Sequence, residues 1–429
     1  MLAADPILDE VRGSPAGALI ADMTSAFSAS SQILPSIEYE SADRENRHLS
    51  IYPASAGIAL TDELEFLARR AIEPNLFFNP GFLAPAMPRL EDRNVHLAIL
   101  RDENGGRSRM RLAFPYSIER SSLQIGPSII RCWATVYAPL GTPLIDSDDP
   151  VAVVEDLFEI MGREKLKLPS VLVFPDMRSD GVATRLLKSV AFDRNLPLHS
   201  VQKSLRPILK SHLDGETYLR EALGSHHRRD LGRLKRRLED LGHLEYRVAR
   251  SQTDVLRDME VFLTLEAAGW KGDQRTAMAI DRYRAAFARE AIYKLAGEDQ
   301  VRIHTLALDG RALASMVVFI GAGVAYTWKT AFDEEFARFS PGKLILAEIT
   351  AHHLDDPNIV KTDSCAVPDH PIMSRFWMER EPMETLVIGL NPRADRNARQ
   401  VAAQMDLYRQ TRDMAKKVQG KLRSLVGRR

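Results

Sequence analysis

The chain has few cysteines, no excess of charge of either sign and no long apolar run. Cys132 and Cys365 are its two cysteines, and their separation fits no metal-binding or redox spacing. This scarcity argues against a disulfide framework and favours a reducing compartment. Lys and Arg together number 58, as do Asp and Glu, so the whole chain lacks the basic excess typical of nucleic-acid-binding proteins. No apolar run approaches the roughly 18 residues that span a bilayer, and the acidic N-terminus does not suit a secretory signal. We therefore expect a cytoplasmic protein with no membrane span, no metal site and no nucleic-acid partner.

What the chain does contain is one order of secondary-structure elements that occurs twice. The 429 residues, 45% of them hydrophobic, are enough for two or three domains. Each copy is predicted to consist of a strand, helices, three meandering strands, a helix, a strand, a helix and a last strand. Asp309-Gly310 predicts a tight hairpin inside the second meander. The pattern predicts an α+β protein built from two similar units.

The predicted boundaries divide the chain into five segments. We expect a mobile leader at 1–47, a first unit at 48–210, a basic connecting helix at 211–243, a second unit at 244–395 and a basic C-terminal helix at 396–429. The connecting helix carries leucines on one stripe and Arg228, Arg229, Arg233, Lys235, Arg236 and Arg237 on the other face. That face is either a contact for RNA or another anionic polymer, or the solvated side of an amphipathic helix.

The segment from Ala325 to Ile349 is the most informative in the chain. It reads as a strand, a polar loop and a helix that opens on Ser340-Pro341-Gly342. The first backbone N–H groups of a helix have no partner within the helix, and the helix dipole favours an anion there. The arrangement favours a phosphate-bearing donor, although an ordinary capped surface helix would give the same pattern.

Several motifs then carry a resemblance to a known family. They are Gly269-Trp270-Lys271-Gly272, Leu308-Asp309-Gly310, Tyr326-Thr327-Trp328-Lys329, Phe332-Asp333 and Phe339-Ser340-Pro341-Gly342, in that order. In this order they resemble the CelD/BcsL branch of the GNAT acyltransferases, which is associated with bacterial cellulose and exopolysaccharide synthesis and is similar to Fem-type double-GNAT proteins. The resemblance implies two tandem GNAT-like domains with mixed sheets flanked by helices.

The resemblance also implies an activity. A GNAT-type enzyme would move an acyl group, expected to be acetyl, from coenzyme A directly to an amine or hydroxyl. The acceptor would be an amino sugar or polysaccharide precursor, and polysaccharide-synthesis proteins would be possible partners. The pyrophosphate would be held by Arg338, Ser340, Pro341, Gly342 and Lys343. Here the sequence departs from the family pattern, because Pro341 and Lys343 stand where small residues are expected.

The remaining site residues follow from the same resemblance. Backbone groups of Tyr326, Thr327, Trp328 and Lys329 would bind the thioester where two parallel strands splay. The expected catalytic side chains are Asp333, Lys271 and His370, with His304 as a further candidate base. Trp270, Lys271 and Asp363 would bind the acceptor. Structural readings stay open, since Asp333 could cap a turn and Trp270 could fill the core.

Two alternatives to an acyl-CoA enzyme stay open. One is a Fem-like transferase that uses aminoacyl-tRNA, for which the basic connecting helix would contact RNA. The other is a non-catalytic binding module of a polysaccharide assembly. In the first unit, Pro139-Leu140-Gly141-Thr142-Pro143 is the expected counterpart of the donor loop, and it holds no basic residue. We therefore expect the donor in the second unit.

Overall fold

A computed structural model describes residues 37–40, 46–90, 94–120 and 126–426. The leader predicted at 1–47 lies largely outside the described residues, and its described part includes Ile37–Glu40 and Arg47, which belong to strands. None of the helices described is both long and apolar enough to cross a membrane.

The first half of the molecule contains eight strands and four α-helices among the described residues. The strands are β1 (Ile37–Glu40), β2 (Arg47–Pro53), β3 (Val95–Asn104), β4 (Arg107–Arg120), β5 (Ser128–Cys132), β6 (Leu144–Ile145), β7 (Val171–Arg178) and β8 (Leu198–Leu209). The helices are α1 (Thr61–Arg70), α2 (Pro80–Ala86), α3 (Pro150–Met161) and α4 (Val182–Asp193). Helix α2 begins with the Asn79 side chain accepting from the Gly81 N–H and with Pro80 in the first turn, two features that favour a helix start.

The second half is preceded by two helices rather than the single one predicted. These are α5 (Gly215–Ala222) and α6 (Ser225–Glu239), and they are separated at Leu223, whose backbone is extended. The strands are β9 (Leu244–Ala249), β10 (Val301–Leu308), β11 (Arg311–Gly321), β12 (Val324–Phe332), β13 (Lys361–Asp363) and β14 (Glu379–Gly389). The helices are α7 (Gln252–Ala268), α8 (Trp270–Asp273), α9 (Arg282–Gly297), α10 (Pro341–Asp355), α11 (Met373–Phe376) and α12 (Asp395–Val426).

The described strands of both halves form one mixed sheet. Its order is β1-β2-β3-β4-β5-β7-β14-β8-β13-β12-β11-β10-β9, and β6 pairs with β4. The last strand of each half is exchanged: β14 of the second half pairs with β7, and β8 of the first half pairs with β13. We call the place where β7, β14, β8 and β13 lie side by side the seam. The domain boundaries at 210, 243 and 395 stay a prediction, and the exchange means that each half lends a strand to the other.

The pairing of the meanders shows that the two halves are built alike. In β4 the ladder skips Arg111, and in β11 it skips Leu313 at the matching position. Each half also contains one parallel strand pair. In the first half β5 pairs with β7, with Arg131 opposite Val173, and in the second half β12 pairs with β13, with Tyr326 opposite Asp363. The mixed α/β class expected from the repeated order of elements is thus confirmed.

An aromatic cluster joins the halves in the interior. Phe82 of α2 contacts Phe287 of α9 and Trp328 of β12, with ring centroids 5.2 and 6.1 Å apart. Phe77 contacts Tyr326 in the same edge-on manner at 5.3 Å. Edge-to-face pairs contribute about 0.5–1.5 kcal/mol each beyond area burial. The cluster fixes β12 against first-half residues.

Candidate functional site

Strand β13 is short and pairs over its whole length with the beginning of β12, so the rest of β12 has no parallel partner among the described strands. The parallel pairing runs from Val324 to Tyr326 on β12 and stops at Asp363, where β13 ends. Strand β12 continues to Phe332 and contains a bulge, since Thr327 faces Val318 and Lys329 faces Val317. A bulge bends a strand and interrupts its ladder. The result is an opening in the sheet beside the backbone of Trp328 and Lys329, where a ligand can bind main-chain groups.

Helix α10 begins at Pro341, after β12 and a short 3-10 helix at Glu334–Phe339. Ser340 precedes it in the left-handed conformation, with φ 53°, and its side chain makes no cap hydrogen bond. Pro341 has no N–H, and within the described chain no acceptor bonds the Gly342 N–H. A Cβ added at Gly342 would meet only Phe332, at 3.8 Å, so the backbone is open to an approaching group. A free donor at a positive helix end suits a phosphate.

Basic side chains surround this helix start. The guanidinium groups of Arg237, on α6, and Arg338 lie 5.3 and 4.8 Å from the ring centre of Phe339. The pKa of Asp230, also on α6, is lowered, first by its hydrogen bond from Arg233 and in smaller part by Lys343. The basic face of α6 therefore lies beside the start of α10, and both could contribute to holding an anion.

The opening is lined from the first half as well. The Trp328 Nε1–H donates to the Tyr137 carbonyl at 2.8 Å, and the Lys329 Nζ lies 4.1 Å from the centre of the Tyr137 ring. Burial and the nearby charge of Lys271 lower the pKa of Lys329 to about 8. Tyr137 had no place among the predicted site residues. No local pattern could have indicated it, because it reaches the site from the other half.

Lys271 lies at this opening but is already engaged. Its Nζ donates to the Glu266 carboxylate and to the Thr330 carbonyl, both at 2.9 Å. The ammonium therefore connects the end of α7 to β12. Trp270 beside it is 47% exposed, and its backbone N–H donates to Glu334. Of the two, Trp270 has the free side chain.

Asp363 is held in a buried charge network at the seam. Its carboxylate is fully buried and lies 3.3 Å from Arg206 and 4.0 Å from Arg178. Arg178 also contacts Glu73, Glu381 and the Tyr326 hydroxyl, each at 3.2 Å. Burial by itself would raise the pKa of Asp363, but the two arginines outweigh it and the pKa is lowered. These contacts favour a structural role for Asp363 over acceptor binding.

Asp333 has a counterpart in the first half, and this bears on its predicted catalytic role. The Asp333 carboxylate accepts from the Glu335 N–H at 3.0 Å and pairs with Arg311 at 2.6 Å. Asp146 accepts from the Asp148 N–H at 2.9 Å and pairs with arginines in the same way. Their backbone hydrogen bonds match too. The Asp333 N–H donates to the Leu313 carbonyl and the Asp146 N–H donates to the Arg111 carbonyl, and Leu313 and Arg111 are the matching bulge residues. A contact set present in both halves favours turn capping for Asp333.

The two candidate histidines are also held by structural contacts. His370 Nδ1 accepts from the Met373 N–H at 3.2 Å, and burial lowers the pKa of the ring. His304 is fully buried, bonds the Tyr246 hydroxyl at 2.7 Å, and has a pKa well below 6.5 through burial. Neither lies on the strand that borders the opening. In the described part of the chain, no cluster of three or more His, Cys, Asp or Glu could hold a metal.

Pro139–Pro143 was predicted to be the first-half counterpart of the donor loop, and this prediction was wrong. The helix that matches α10 is α3, which begins at Pro150 after Asp149, not at Pro139–Pro143. Asp149 has φ 54°, as Ser340 has φ 53°. The counterpart of Ser340-Pro341-Gly342-Lys343 is thus Asp149-Pro150-Val151-Ala152, which is acidic and has no glycine. The loop around Pro139 instead reaches the seam, where its carbonyl accepts from Arg206 at 3.0 Å.

A comparison with protein families identifies the domain that contains this site. Residues 225–358 match the family described as an acetyltransferase (GNAT) domain. This range includes β12 on one side of the opening, the start of α10 and the basic helix α6, and it ends before β13. The chain therefore carries a GNAT acyltransferase domain, and the protein is an acyltransferase. A CelD/BcsL membership is not established by this match.

Solved structures resemble the chain at low identity. One is the C-terminal domain of a proposed lysylphosphatidylglycerol synthetase from Agrobacterium fabrum, with 13% identity, a TM-score of 0.49, and coverage of 82% of this chain and 96% of that one. FemX shares 10% identity with a TM-score of 0.48, covering 78% and 96%. A tandem GNAT protein of clavulanic acid biosynthesis shares 13% identity with a TM-score of 0.37, covering 80% and 99%. No curated protein sequence matches the chain. At these scores we draw no functional argument from the structures.

Proposed function

We propose that the protein transfers an acyl group from acyl-CoA to an amine or hydroxyl acceptor in the second half. The thioester would lie in the opening between β12 and β13, and the pyrophosphate at the start of α10. The observation that carries the proposal is the end of the β12–β13 pairing together with the Gly342 N–H, which has no acceptor among the described residues and lies between Arg338 and Lys343 in the chain. The match of residues 225–358 to a GNAT domain supports the same donor.

The chemistry is a direct transfer in this proposal. The acceptor nitrogen or oxygen attacks the thioester carbonyl carbon, the new bond forms, the C–S bond breaks, and coenzyme A leaves. Backbone N–H groups at the bulge of β12 would stabilise the negative oxygen that develops during attack. Asp333, Asp363 and His370 are engaged in the contacts described above, so the acceptor proton would leave through water.

The acceptor class is the finer part of the proposal. An amino sugar or polysaccharide precursor is supported by the resemblance of Gly269-Trp270-Lys271-Gly272 to the cellulose-associated branch. The exposed Trp270 ring supports it physically, since an aromatic face can stack on a sugar. A groove of about 510 Å³, lined in part by Leu265, Phe332 and Glu334, runs beside it. Polysaccharide-synthesis proteins as partners and a cytoplasmic location belong to the same proposal.

Calorimetric titration with acetyl-CoA and free coenzyme A tests the donor site. Micromolar binding is expected in the unaltered protein, and Gly342→Val should weaken it at least tenfold by blocking the backbone. The fold should survive, because a Cβ at this position makes only one ordinary contact. Gly224→Val is the matched control. Gly224 lies at the start of α6, and a Cβ added there would meet no atom within 4 Å. Equal affinity in Gly342→Val would show that the donor binds elsewhere.

The Fem-like alternative keeps one specific observation in its favour. Four arginines on α6 are exposed and make no ion pair with a described carboxylate: Arg228, Arg229, Arg236 and Arg237. An RNA-dependent enzyme would bind tRNA with an affinity that falls steeply with salt. Changing Arg228 and Arg229 to Gln should then reduce the salt slope. If neither acyl-CoA nor RNA binds, a non-catalytic binding module is the better description.

A further inference from the structure

More basic than acidic side chains lie near the opening beside β12. We call the group formed by Tyr137, Lys271, Arg284 and Lys329 the seam cleft. Lys329 lies over the Tyr137 ring, and Phe287 of α9 lies 6.2 Å from the same ring. Arg284 is three residues before Phe287 and shares its helix face. Both Lys271 and Arg284 act on the pKa of Lys329, lowering it in addition to burial.

The carboxylates near this cleft are already used. One Glu266 oxygen binds Lys271 at 2.9 Å, and the other accepts from the Met278 N–H at 2.9 Å. Asp281 accepts from the Tyr283 and Arg284 N–H groups and so caps α9. The side chains of Lys329 and Arg284 have no ion-pair partner among the described residues.

Such a pair of cations is costly without a counterion. Removing a charge from water is unfavourable, and a neighbouring like charge adds to the cost. Lys329 shows the effect, because its pKa lies near 8 instead of the usual range for lysine. An anion between Lys329 and Arg284 would relieve both penalties, and a guanidinium suits a carboxylate because two parallel hydrogen bonds can form.

We propose that one substrate of this enzyme carries a carboxylate, and that Lys329 and Arg284 bind it in the seam cleft. This inference rests on the proposed function for its location beside the transferred acyl group. The carboxylate can belong to the acyl chain, as in a dicarboxylic acyl-CoA, or to the acceptor, as in an amino sugar acid. In either case the enzyme should prefer the substrate with the carboxylate over an analogue without it.

A first experiment tests the anion site without a donor. The midpoint of thermal unfolding is measured in sodium succinate and in sodium chloride of equal ionic strength. Succinate should raise the midpoint by a few degrees in the unaltered protein, and the rise should vanish in Lys329→Met and in Arg284→Gln. Arg282→Gln is the matched control, because Arg282 lies on the same helix, is exposed and directs its guanidinium to Tyr283. Equal midpoints in the two salts would overturn the proposal whether or not acyl-CoA binds.

A second experiment identifies which substrate carries the carboxylate. Succinyl-CoA should bind at least tenfold more tightly than butyryl-CoA if the group is on the acyl chain. If it is on the acceptor, the two donors should bind alike, and galactosaminuronate should be acetylated at least tenfold faster than galactosamine, compared by kcat/KM. Lys329→Met should abolish whichever preference is seen. Acyl-CoA binding without either preference would overturn the carboxylate inference while leaving the proposed function intact, whereas absent acyl-CoA binding would reject the proposed function alone.

Discussion

The two halves share a backbone plan but differ where the donor would bind. In the second half, β12 continues as one strand with a bulge, from its parallel pairing to Phe332. In the first half the matching strand is divided, because β5 ends at Cys132 and the chain returns to β4 only at Leu144, in β6. The intervening residues 133–143 leave the sheet and reach the seam. Through Tyr137, the first half thus uses this segment to line the opening in the other half.

The helix starts show the same division of roles. Ser340-Pro341 and Asp149-Pro150 share a left-handed residue followed by proline. The next two residues are Gly342 and Lys343 in one half and Val151 and Ala152 in the other. The start of α10 has a glycine backbone beside the Lys343 ammonium. The start of α3 has the larger Val151 side chain at the same position and the Asp149 carboxylate before it. Backbone geometry alone therefore does not make an anion site, and the side chains decide which half can hold one.

The exchange of final strands predicts that neither half folds alone. Fragments 1–210 and 211–429, expressed separately, should show no cooperative unfolding in urea, because each lacks a strand that lies between two of its own strands. Leu386, Val387 and Ile388 of β14 are fully buried against first-half strands. Coexpressed fragments should assemble and recover a cooperative transition. A separate fragment that unfolds cooperatively would show that the halves are independent domains.

Arg178 should contribute more to stability than any exposed ion pair. Arg178→Met leaves Glu73 without its cation and leaves Glu381 with Lys361 alone, and removing one member of a buried network costs about 3–5 kcal/mol. Arg250→Met is the control, because the Arg250–Asp299 pair is largely exposed and such pairs contribute little to stability. Urea unfolding compares the two free energies of unfolding. Similar losses would mean that the seam is no more dependent on charge pairing than the surface.

The sequence predicted the repeated order of elements well, and two strands to the residue, Leu244–Ala249 and Val301–Leu308. Alternation and the Asp309-Gly310 turn are local signals, so no tertiary information was needed. The strand exchange and the division of β5 from β6 were missed, because pairing partners are set by contacts distant in sequence. The placing of the first-half loop was wrong for the same reason. In the candidate site, the start of a helix at Pro341 could be predicted from helix-start chemistry, whereas the positions of Tyr137 and Arg284 near Lys329 could not.

The buried histidines of the second half predict a pH dependence that the first half lacks. His304 lies where the matching strand β3 has Ala98, and His353 of α10 bonds Thr362 at 2.9 Å. Burial lowers the pKa of His353 to about 3 and that of His304 well below 6.5. Once unfolded, both rings take up protons near pH 6.5. Stability should therefore be retained above pH 6.5 and fall as the pH drops below it, by up to about 1.4 kcal/mol per pH unit for each ring.

Urea unfolding between pH 7.5 and pH 5.5 measures this slope. The charged and polar groups that face the two rings are His352, Tyr246, Arg302 and Asp356. His304→Ala introduces the residue that the first half has at the matching position, Ala98. It should reduce the change in unfolding free energy per pH unit by roughly the contribution of one bound proton. His227→Ala, at an exposed position of α6, should leave it unchanged. A slope unaffected by His304→Ala would place the acid sensitivity in other groups.

The smallest expected effect concerns Asp333, and it separates capping from catalysis. Asp333→Asn keeps an oxygen that can accept from the Glu335 N–H and loses only the ion pair with Arg311, which is about half exposed. The loss of stability should be at most about 1 kcal/mol. Asp146→Asn should cost more, because Asp146 is fully buried between Arg70 and Arg109. If capping is the whole role of Asp333, kcat should stay within twofold in Asp333→Asn. A loss of about a hundredfold or more would be typical of a missing general base, and it would mean that the second half had given a catalytic task to a residue that the first half uses only to hold a turn.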